Sequence, residues 1–516
     1  MVPLLHDPRS ISVDTVSRHL ATPDATRQFA ADIALAARPG ETIWLIGELG
    51  AGKSEFARAF IRTLCNDADL EVPSPTFSLL QTYAFTRAGR QIEIVHADLY
   101  RISDPGEVDE LGLTESASAD RMLLVEWPQM GSGNLPDPDF TVSLEEEGEE
   151  DGRRVSVSGT VTNLERIRRS LEIRDFLDAG WQNGIERQFL LGDASARSYE
   201  TASDGTSTRI VMNAPRQPDG PVLQGHGKPY SRIAHLAEDV GAFAGMQKIL
   251  SGYGLSVPQI HAAELDAGLL LLEDLGRQTV LDATGKPEPE RYRTAIDALV
   301  HLHGQAVCRQ AEIAPGRVHE IPPYDRTAMT IETSLLADWY APRKLGRSLS
   351  PGERQDFDGI WSDLVGKLDE AEAHIVLRDF HSPNIIWLED RTGFSRAGLI
   401  DFQDAVIGPV AYDVASLAQD ARVDVPEDLE AGLVDHYMDA RRSSPGFDPK
   451  SFRVQYAIMA AQRATKILGI FVRLDQRDGK PAYLAHLPRI ETYIRRATRH
   501  PELAGYLKWL ESVTGL

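Results

Sequence analysis

The chain has 516 residues, which at about 100–200 residues per domain calls for more than one domain. With 42% apolar and 25% charged residues it is composed like a globular protein, which excludes a disordered or collagen-like chain. A formal charge of -23 argues against an unaided grip on nucleic-acid phosphates, and two cysteines (Cys65 and Cys308) exclude a disulfide scaffold and a four-cysteine zinc site. Apolar runs such as 268–272 fall far short of the ~18 residues of a membrane span. The start, Met1-Val-Pro-Leu-Leu-His-Asp7, lacks the basic stretch and long apolar core of a signal peptide, so a cytoplasmic chain is expected.

In chain order, residues 24–37 have helical spacing, with Phe29 and Ile33 four apart, and Pro39-Gly40 ends the pattern. Residues 42–46 read as a short buried strand. Then comes Gly47-Glu48-Leu49-Gly50-Ala51-Gly52-Lys53-Ser54, leading into a helical stretch over 55–64. Strand, glycine-rich turn and helix form a phosphate loop. Glycines let backbone N–H groups curl around phosphates, and the helix N-terminus adds partial positive charge. Lys53 reaches the terminal phosphates and the Ser54 hydroxyl ligates magnesium, so all eight residues are expected to bind ATP. Strands over 92–96 and 122–125 are followed by Asp98 and Glu126, at the carboxyl ends where open α/β sheets gather ligand groups.

Pro73-Ser-Pro-Thr-Phe77, His96-Ala-Asp98-Leu-Tyr100-Arg101, Asp109-Glu-Leu-Gly-Leu113 and Val125-Glu126-Trp127-Pro128 complete a set that resembles the TsaE family. These are the small ATPases of the bacterial machinery that forms threonylcarbamoyladenosine on tRNA. The resemblance covers about residues 10–160. It implies that Asp98 helps hold magnesium, that Glu126 sits by the terminal phosphate as a catalytic group with Lys53, and that the partners are the TsaB and TsaD proteins. Trp127 is either a site residue or a core residue. Ser74 and Thr76 resemble a nucleotide-sensing segment, or form a rigid proline-flanked loop. Residues 1–165 carry 13 basic and 28 acidic side chains, a net of -15, so this half is expected to act on proteins rather than to bind tRNA tightly.

Six of the seven residues from Glu145 to Asp151 are acidic, between alternating runs over 140–144 and 154–157, which reads as a solvated hairpin turn. Residues 164–179 have helical spacing. The expected division is an ATPase domain over 1–160, a linker over 161–172, and a second domain over 173–516, its small lobe to about 275 and its large lobe from about 276.

The second domain opens with short strands at 189–191, 198–201 and 208–212, then a helical stretch over 231–250 and the segment Gly268-Leu-Leu-Leu-Leu-Glu273-Asp274-Leu-Gly276. From about Glu288 the spacing is mostly helical. In the run Leu377-Arg378-Asp379-Phe-His381-Ser-Pro-Asn384, Asp379 and Asn384 stand five apart, and Asp401 follows 17 residues later within Leu399-Ile-Asp401-Phe-Gln. Phosphoryl transfer needs a carboxylate to accept the hydroxyl proton, supplied by Asp379, and magnesium ligands, supplied by Asn384 and Asp401.

With Gly192-Asp-Ala-Ser195, Met212-Asn-Ala-Pro215, Leu272-Glu-Asp-Leu-Gly276 and Gly408-Pro-Val-Ala-Tyr412-Asp413, this half resembles the aminoglycoside-phosphotransferase-like kinases, particularly the AmgK group acting on N-acetylmuramate and N-acetylglucosamine at the anomeric hydroxyl. The overall expectation is an α/β P-loop NTPase domain followed by an α+β two-lobed kinase-like domain, using ATP and Mg2+ at two sites. Ser195 and Glu273 are expected to contact ATP in the kinase half. The usual strand lysine is missing, with Arg209 or Lys228 as substitutes and Glu238 as a partner. Two other readings share these residues: an aminoglycoside-inactivating kinase, and a kinase fold without catalysis. His301 and His303 are expected to be structural or substrate-lining. Trp339, Tyr340, Trp361 and Trp387 are core or sugar-stacking residues. The basic end (Arg489, Arg495, Arg496, Arg499) favours a neutral or anionic amino sugar over a polycationic antibiotic, with one arginine facing the lactyl carboxylate.

Overall fold

The computed structural model describes residues 14–516 except 76–77, 88, 114–117, 132, 149–151, 191–196 and 224. The fold divides into two compact units, the first comprising the described residues up to Ala214 with His261–Leu272, the second Pro215–Ile260 with Glu273–Leu516.

The first unit starts with β1 (Asp14–Leu20), α1 (Pro23–Ala36), β2 (Thr42–Ile46), α2 (Lys53–Cys65), β3 (Leu80–Arg87), β4 (Arg90–Asp98), the short α3 (Glu107–Glu110), β5 (Arg121–Glu126), β6 (Phe140–Glu146) and β7 (Arg153–Gly159). The strands form one sheet in the order β1-β7-β6-β2-β5-β4-β3. Its centre is parallel, β2 beside β5 and β6, and β5 beside β4. Thr22 caps α1 by accepting from the Ala25 N–H, and Pro23 occupies the first turn, where no donor is needed. On α2, Phe56, Phe60 and Ile61 are fully buried on the sheet. The hairpin β6–β7 brackets the acidic run, and Glu147 there pairs with Arg154 and His19.

The segment expected to be a linker, 161–172, is the first part of a 20-residue helix, α4 (Val161–Gly180). Leu164, Ile167 and Leu171 join the core of the seven-stranded sheet. Ile173, Phe176 and Leu177, further along the same helix, join the core of a second sheet. That sheet consists of β8 (Glu186–Leu190), β9 (Ser198–Ser203), β10 (Thr208–Asn213), β11 (Ile260–Glu264) and β12 (Leu269–Glu273), in the order β11-β12-β10-β9-β8. One helix thus serves two cores. The strands read as the kinase small lobe belong to the same compact unit as the ATPase sheet.

The second unit holds α5 (Tyr230–Ile233), α6 (Val240–Gly252), α7 (Pro289–His303), the hairpin β13 (Gln310–Ala314) and β14 (Arg317–Glu320), α8 (Arg326–Leu335), α9 (Ala341–Leu345) and α10 (Pro351–Gly366). There follow β15 (Ala373–Val376), β16 (Ile385–Trp387), β17 (Ala397–Leu399), β18 (Val406–Pro409), α11 (Ala411–Ala418), α12 (Glu427–Arg441), α13 (Pro449–Asp478), α14 (Leu487–Ala497) and α15 (Ala504–Val513). The single helix expected over 231–250 is two, α5 and α6. His235 between them has φ of +54°, and the Ala237 N–H is held by Asp404 Oδ1 at 2.5 Å. The 30-residue α13 is the spine of the unit. It approaches α8 so closely that a Cβ on Gly469 would lie 2.3 Å from the Leu335 carbonyl, a space only glycine allows. Strand β15 pairs with β18 and β16 with β17. Between these strands run the loops that carry Asp379, Asn384 and Asp401. Among the described residues no helix is long and apolar enough to cross a membrane.

Candidate active sites

The phosphate loop lies between β2 and α2. Gly47 passes so near β6 that a Cβ would come 2.5 Å from the Leu144 carbonyl oxygen, and Gly52 enters α2 at φ of +101°. Lys53 donates to the carbonyls of Gly47 (2.7 Å) and Glu48 (2.8 Å), and its ammonium sits 3.8 Å from the centre of the Trp127 ring. Burial lowers the Lys53 pKa, while the Glu126 and Asp98 carboxylates oppose that shift. Asp98 and Glu126 end adjacent parallel strands as direct register partners. Ser54 Oγ donates to Glu126 Oε2 at 2.8 Å, and Ser74 Oγ donates to Asp98 Oδ2 at 2.7 Å. Leu49, Gly50, Gly52, Lys53, Ser54, Ser74, Asp98, Tyr100, Glu126 and Trp127 are among the residues around one cavity of about 340 Å³.

Trp127 is therefore a cavity residue. Its φ is +57°, a costly conformation for a bulky side chain, and its ring meets Tyr100 at 5.0 Å. His96 has no assigned role in the sequence, yet its Nε2 lies 2.9 Å from Glu126 Oε1, with both side chains buried. The signal was the period of two along β4, which puts His96 on the same face as Asp98. Thr76 lies outside the described residues.

In the second unit, Asn384 Nδ2 donates to the Asp379 carbonyl (2.9 Å) and to Asp401 Oδ2 (3.4 Å). Gln403 Nε2 donates to Asp401 Oδ1 at 2.7 Å. Asp379 is 45% exposed at its side chain, and His381 Nε2 is 4.0 Å from its Oδ1. Burial holds the His381 imidazole below its usual pKa. Two non-glycine residues take left-handed backbone here, Arg378 (φ +69°) and Asp401 (φ +59°), the kind of strain that persists only where neighbours enforce it.

Those neighbours come from distant parts of the chain. Asp413 on α11 accepts the Leu377 and Arg378 N–H groups at 2.6 and 3.0 Å, and burial raises its carboxyl pKa to about 7 against the pull of those two bonds. Asp420 Oδ2 accepts the Ser382 N–H at 2.7 Å. The Arg378 guanidinium pairs with buried Glu332 on α8 and donates to the Ala234 carbonyl at 2.7 Å. Lys466 (2.9 Å) and the Tyr324 hydroxyl (2.5 Å) also hold Glu332. Burial alone would raise the Glu332 pKa, but Lys466 and Arg378 outweigh it and bring it to about 2. The loop that carries Asp379 is thus fixed by Glu332, Asp413 and Asp420, a role the sequence alone does not mark.

Other expected residues fall as follows. Glu273 Oε2 accepts the Gln259 N–H at 3.1 Å, and its Oε1 is 3.5 Å from Arg391. Ser195 lies outside the described residues. Glu238 pairs with Arg216 and Arg232, not with Lys228, and Arg209 stacks on Trp181 at 4.1 Å. His301 Nε2 bonds to the Tyr253 carbonyl, and buried His303 Nδ1 lies 2.8 Å from the Tyr437 hydroxyl. Among the described residues no group of three His, Cys, Asp or Glu side chains is placed to hold a metal ion. Tyr340, Trp361 and Trp387 are buried in the core, which removes them as stacking platforms. Three of the four arginines expected near the acceptor are engaged, Arg489 with Asp424, Arg496 with Glu430 and Arg499 with Glu427.

Comparison with known proteins meets these two sites separately. Residues 20–155 match the family model for the threonylcarbamoyl adenosine biosynthesis protein TsaE, and residues 186–451 match that of the phosphotransferase enzyme family. An N-acetylmuramate/N-acetylglucosamine kinase of Caulobacter vibrioides is 34% identical over 347 residues, 65% of this chain and 94% of the relative. The Pseudomonas aeruginosa protein of the same name is 34% identical over 64% of this chain and 89% of its own length. A tRNA threonylcarbamoyladenosine biosynthesis protein TsaE of Rickettsia bellii is 38% identical over 24% of this chain and 83% of its own length. The chain belongs to both families. It is a fusion of a TsaE-family ATPase region with a phosphotransferase-family kinase region, and the phosphate-loop cavity lies in the first match while Asp379, Asn384 and Asp401 lie in the second.

Proposed function

We propose that the chain is a bifunctional enzyme. Its first half is the ATPase of the machinery that makes threonylcarbamoyladenosine on tRNA. Its second half uses ATP to phosphorylate N-acetylmuramate and N-acetylglucosamine at the anomeric oxygen, yielding sugar 1-phosphates for cell-wall recycling in the cytoplasm. The carrying observation is the Asp379–Asn384–Asp401 cluster within a region 34% identical to N-acetylmuramate/N-acetylglucosamine kinases across 94% of their length.

Both sites offer hard oxygen donors of the type magnesium takes: the Ser54 hydroxyl with Asp98, and the Asn384 amide oxygen with Asp401. When bound, magnesium neutralises charge on the ATP phosphates. In the kinase half, Asp379 accepts the proton of the anomeric hydroxyl as the oxygen bonds to the terminal phosphorus and the bond from that phosphorus to the bridging oxygen breaks, releasing ADP. Asn384 braces the Asp379 backbone, and Gln403 orients Asp401. In the ATPase half, Lys53 exchanges its two carbonyl partners for phosphate oxygens, with the Trp127 face keeping the ammonium over the loop. Glu126, backed by His96, orients the attacking water. TsaB and TsaD are the partners of this half, and hydrolysis resets their complex rather than acting on the nucleoside.

The test uses the full-length Lys53→Ala protein, in which the first site is silenced. ATP turnover against N-acetylmuramate, N-acetylglucosamine and kanamycin should respond to the two amino sugars alone. Turnover with kanamycin and none with either sugar would overturn the reading.

A further inference from the structure

The second unit holds a cavity of about 520 Å³, a volume typical of small-molecule sites, which run to about 300–1,000 Å³. It lies among α5, α6, the β13–β14 hairpin and the segment that follows Asp401. Three of the residues around it carry a buried polar atom without a hydrogen-bond partner among the described residues: Ser231 Oγ, His319 Nε2 and Gln403 Oε1. Gln403 is 3% exposed. Its Nε2 is committed to Asp401 Oδ1 at 2.7 Å, which leaves Oε1 able only to accept. The His319 side chain is seated on α6, where a Cβ on Gly245 would come 2.5 Å from it. Burial lowers the His319 pKa, so the imidazole is uncharged at neutral pH.

Buried polar atoms are costly without partners, so three around one cavity point to a guest that supplies them. The chemistry narrows that guest. An oxygen that can only accept asks for a hydroxyl or an N–H, which the ionised phosphates of ATP lack. Charge around the cavity is balanced, with Lys228, Arg232 and Arg317 against Glu238, Asp239 and Glu320. Arg232 pairs with Glu238 at 3.3 Å and Arg317 with Asp239 at 3.4 Å. A polycation or a triphosphate therefore gains little there, whereas a sugar ring bearing hydroxyls and an amide matches it. The cavity wall is also tied to the reacting cluster. Gln403 reaches Asp401, and Asn384 Nδ2 bridges Asp401 and the Asp379 carbonyl. Arg378, next to Asp379 in the chain, donates to the Ala234 carbonyl at the end of α5.

We propose that this cavity is the acceptor subsite of the kinase half, where Ser231, His319 and Gln403 hydrogen-bond the hydroxyl and acetamido groups common to N-acetylmuramate and N-acetylglucosamine and so present the anomeric oxygen to Asp379. This rests on the reading of the second half as an amino-sugar kinase.

The experiment compares full-length wild type with Ser231→Ala and His319→Phe, each of which removes an unpartnered atom. In both variants the KM for the two amino sugars should rise together by about three- to tenfold, the worth of one neutral hydrogen bond, with kcat changed far less. The KM for ATP and ATP hydrolysis by the first half should not move. The thermal midpoint of Ser231→Ala should hold or rise, because no hydrogen bond formed on folding is lost, which separates a ligand contact from a structural one. Unchanged sugar KM in the variants would overturn the proposal. A higher KM for ATP with the sugar KM unmoved would overturn it too, since the nucleotide would then be the guest. Should His319→Phe fail to fold, Ser231→Ala decides alone. Wild type that phosphorylates neither sugar would remove the kinase reading and this assignment together, whereas sugar turnover with unmoved KM in the variants would remove this assignment only.

Discussion

At the scale of the residue, Lys53 and Asp379 do different jobs with one charge each. Lys53 holds its charge at the mouth of the phosphate loop, under the Trp127 ring. Lys53→Ala should therefore lower ATP hydrolysis by the first half by roughly 10²–10³-fold, the cost of deleting one preorganised donor to a developing charge. Sugar phosphorylation should be unaffected, and a linked-enzyme assay for ADP with and without sugar separates the two. Asp379→Asn keeps shape and loses the proton acceptor, so sugar phosphorylation should fall by roughly 10²–10⁴-fold, with hydrolysis at the first site intact. These residues were legible in sequence because their partners are near in the chain: Gly47 to Ser54 are consecutive, and Asp379, Asn384 and Asp401 span 23 positions. Glu332, Asp413 and Asp420 were not legible as the groups that hold the Asp379 loop. Each is a buried acid whose partner lies on another element, and no local period marks such a residue. The arginines near the carboxyl end illustrate the converse. Their charge was plain in the sequence, but the partners of three of them, Asp424, Glu430 and Glu427, were not.

At the scale of the element, α4 runs through the stretch expected to be a linker. Its apolar residues face two cores in succession, so no single stripe runs along it. Leu171→Ala opens a cavity where the ATPase core meets the helix and should cost about 2–5 kcal/mol, and calorimetry should show the ATPase sheet and the β8–β12 sheet melting in one transition. Separate transitions would contradict the shared core. Helix α8 carries the other element-scale prediction. The Glu332 pKa falls from 4.5 unfolded to about 2 folded, so the stability it confers is complete above about pH 4.5 and is lost as pH drops toward 2. Glu332→Gln should be less stable than wild type by about 3 kcal/mol at pH 7, the worth of a pKa shift this large. The gap should close as acid protonates the wild-type carboxylate, read as denaturation midpoints between pH 7 and pH 3. The glycine-rich phosphate loop and the hairpin around the acidic run were legible as elements because turn chemistry is local. The break between α5 and α6 was not, since it depends on Asp404 reaching Ala237 from 167 residues away.

At the scale of the whole molecule, two nucleotide-using sites share one chain, and the first of the two compact units contains both the ATPase sheet and the strands that open the kinase match. The -15 charge of residues 1–165 predicts that full-length protein binds tRNA weakly at physiological salt in the absence of TsaB and TsaD; tight binding in a filter assay would contradict the charge argument. The central claim is that the second site transfers phosphate to the anomeric oxygen of an amino sugar. Its most direct measurement is phosphorus NMR of the product formed by the full-length protein from ATP, magnesium and N-acetylmuramate. The account predicts a new sugar 1-phosphate resonance coupled to the anomeric proton, absent with Asp379→Asn and retained with Lys53→Ala. A 6-phosphate, or a phosphorylated aminoglycoside with the amino sugar untouched, would contradict it.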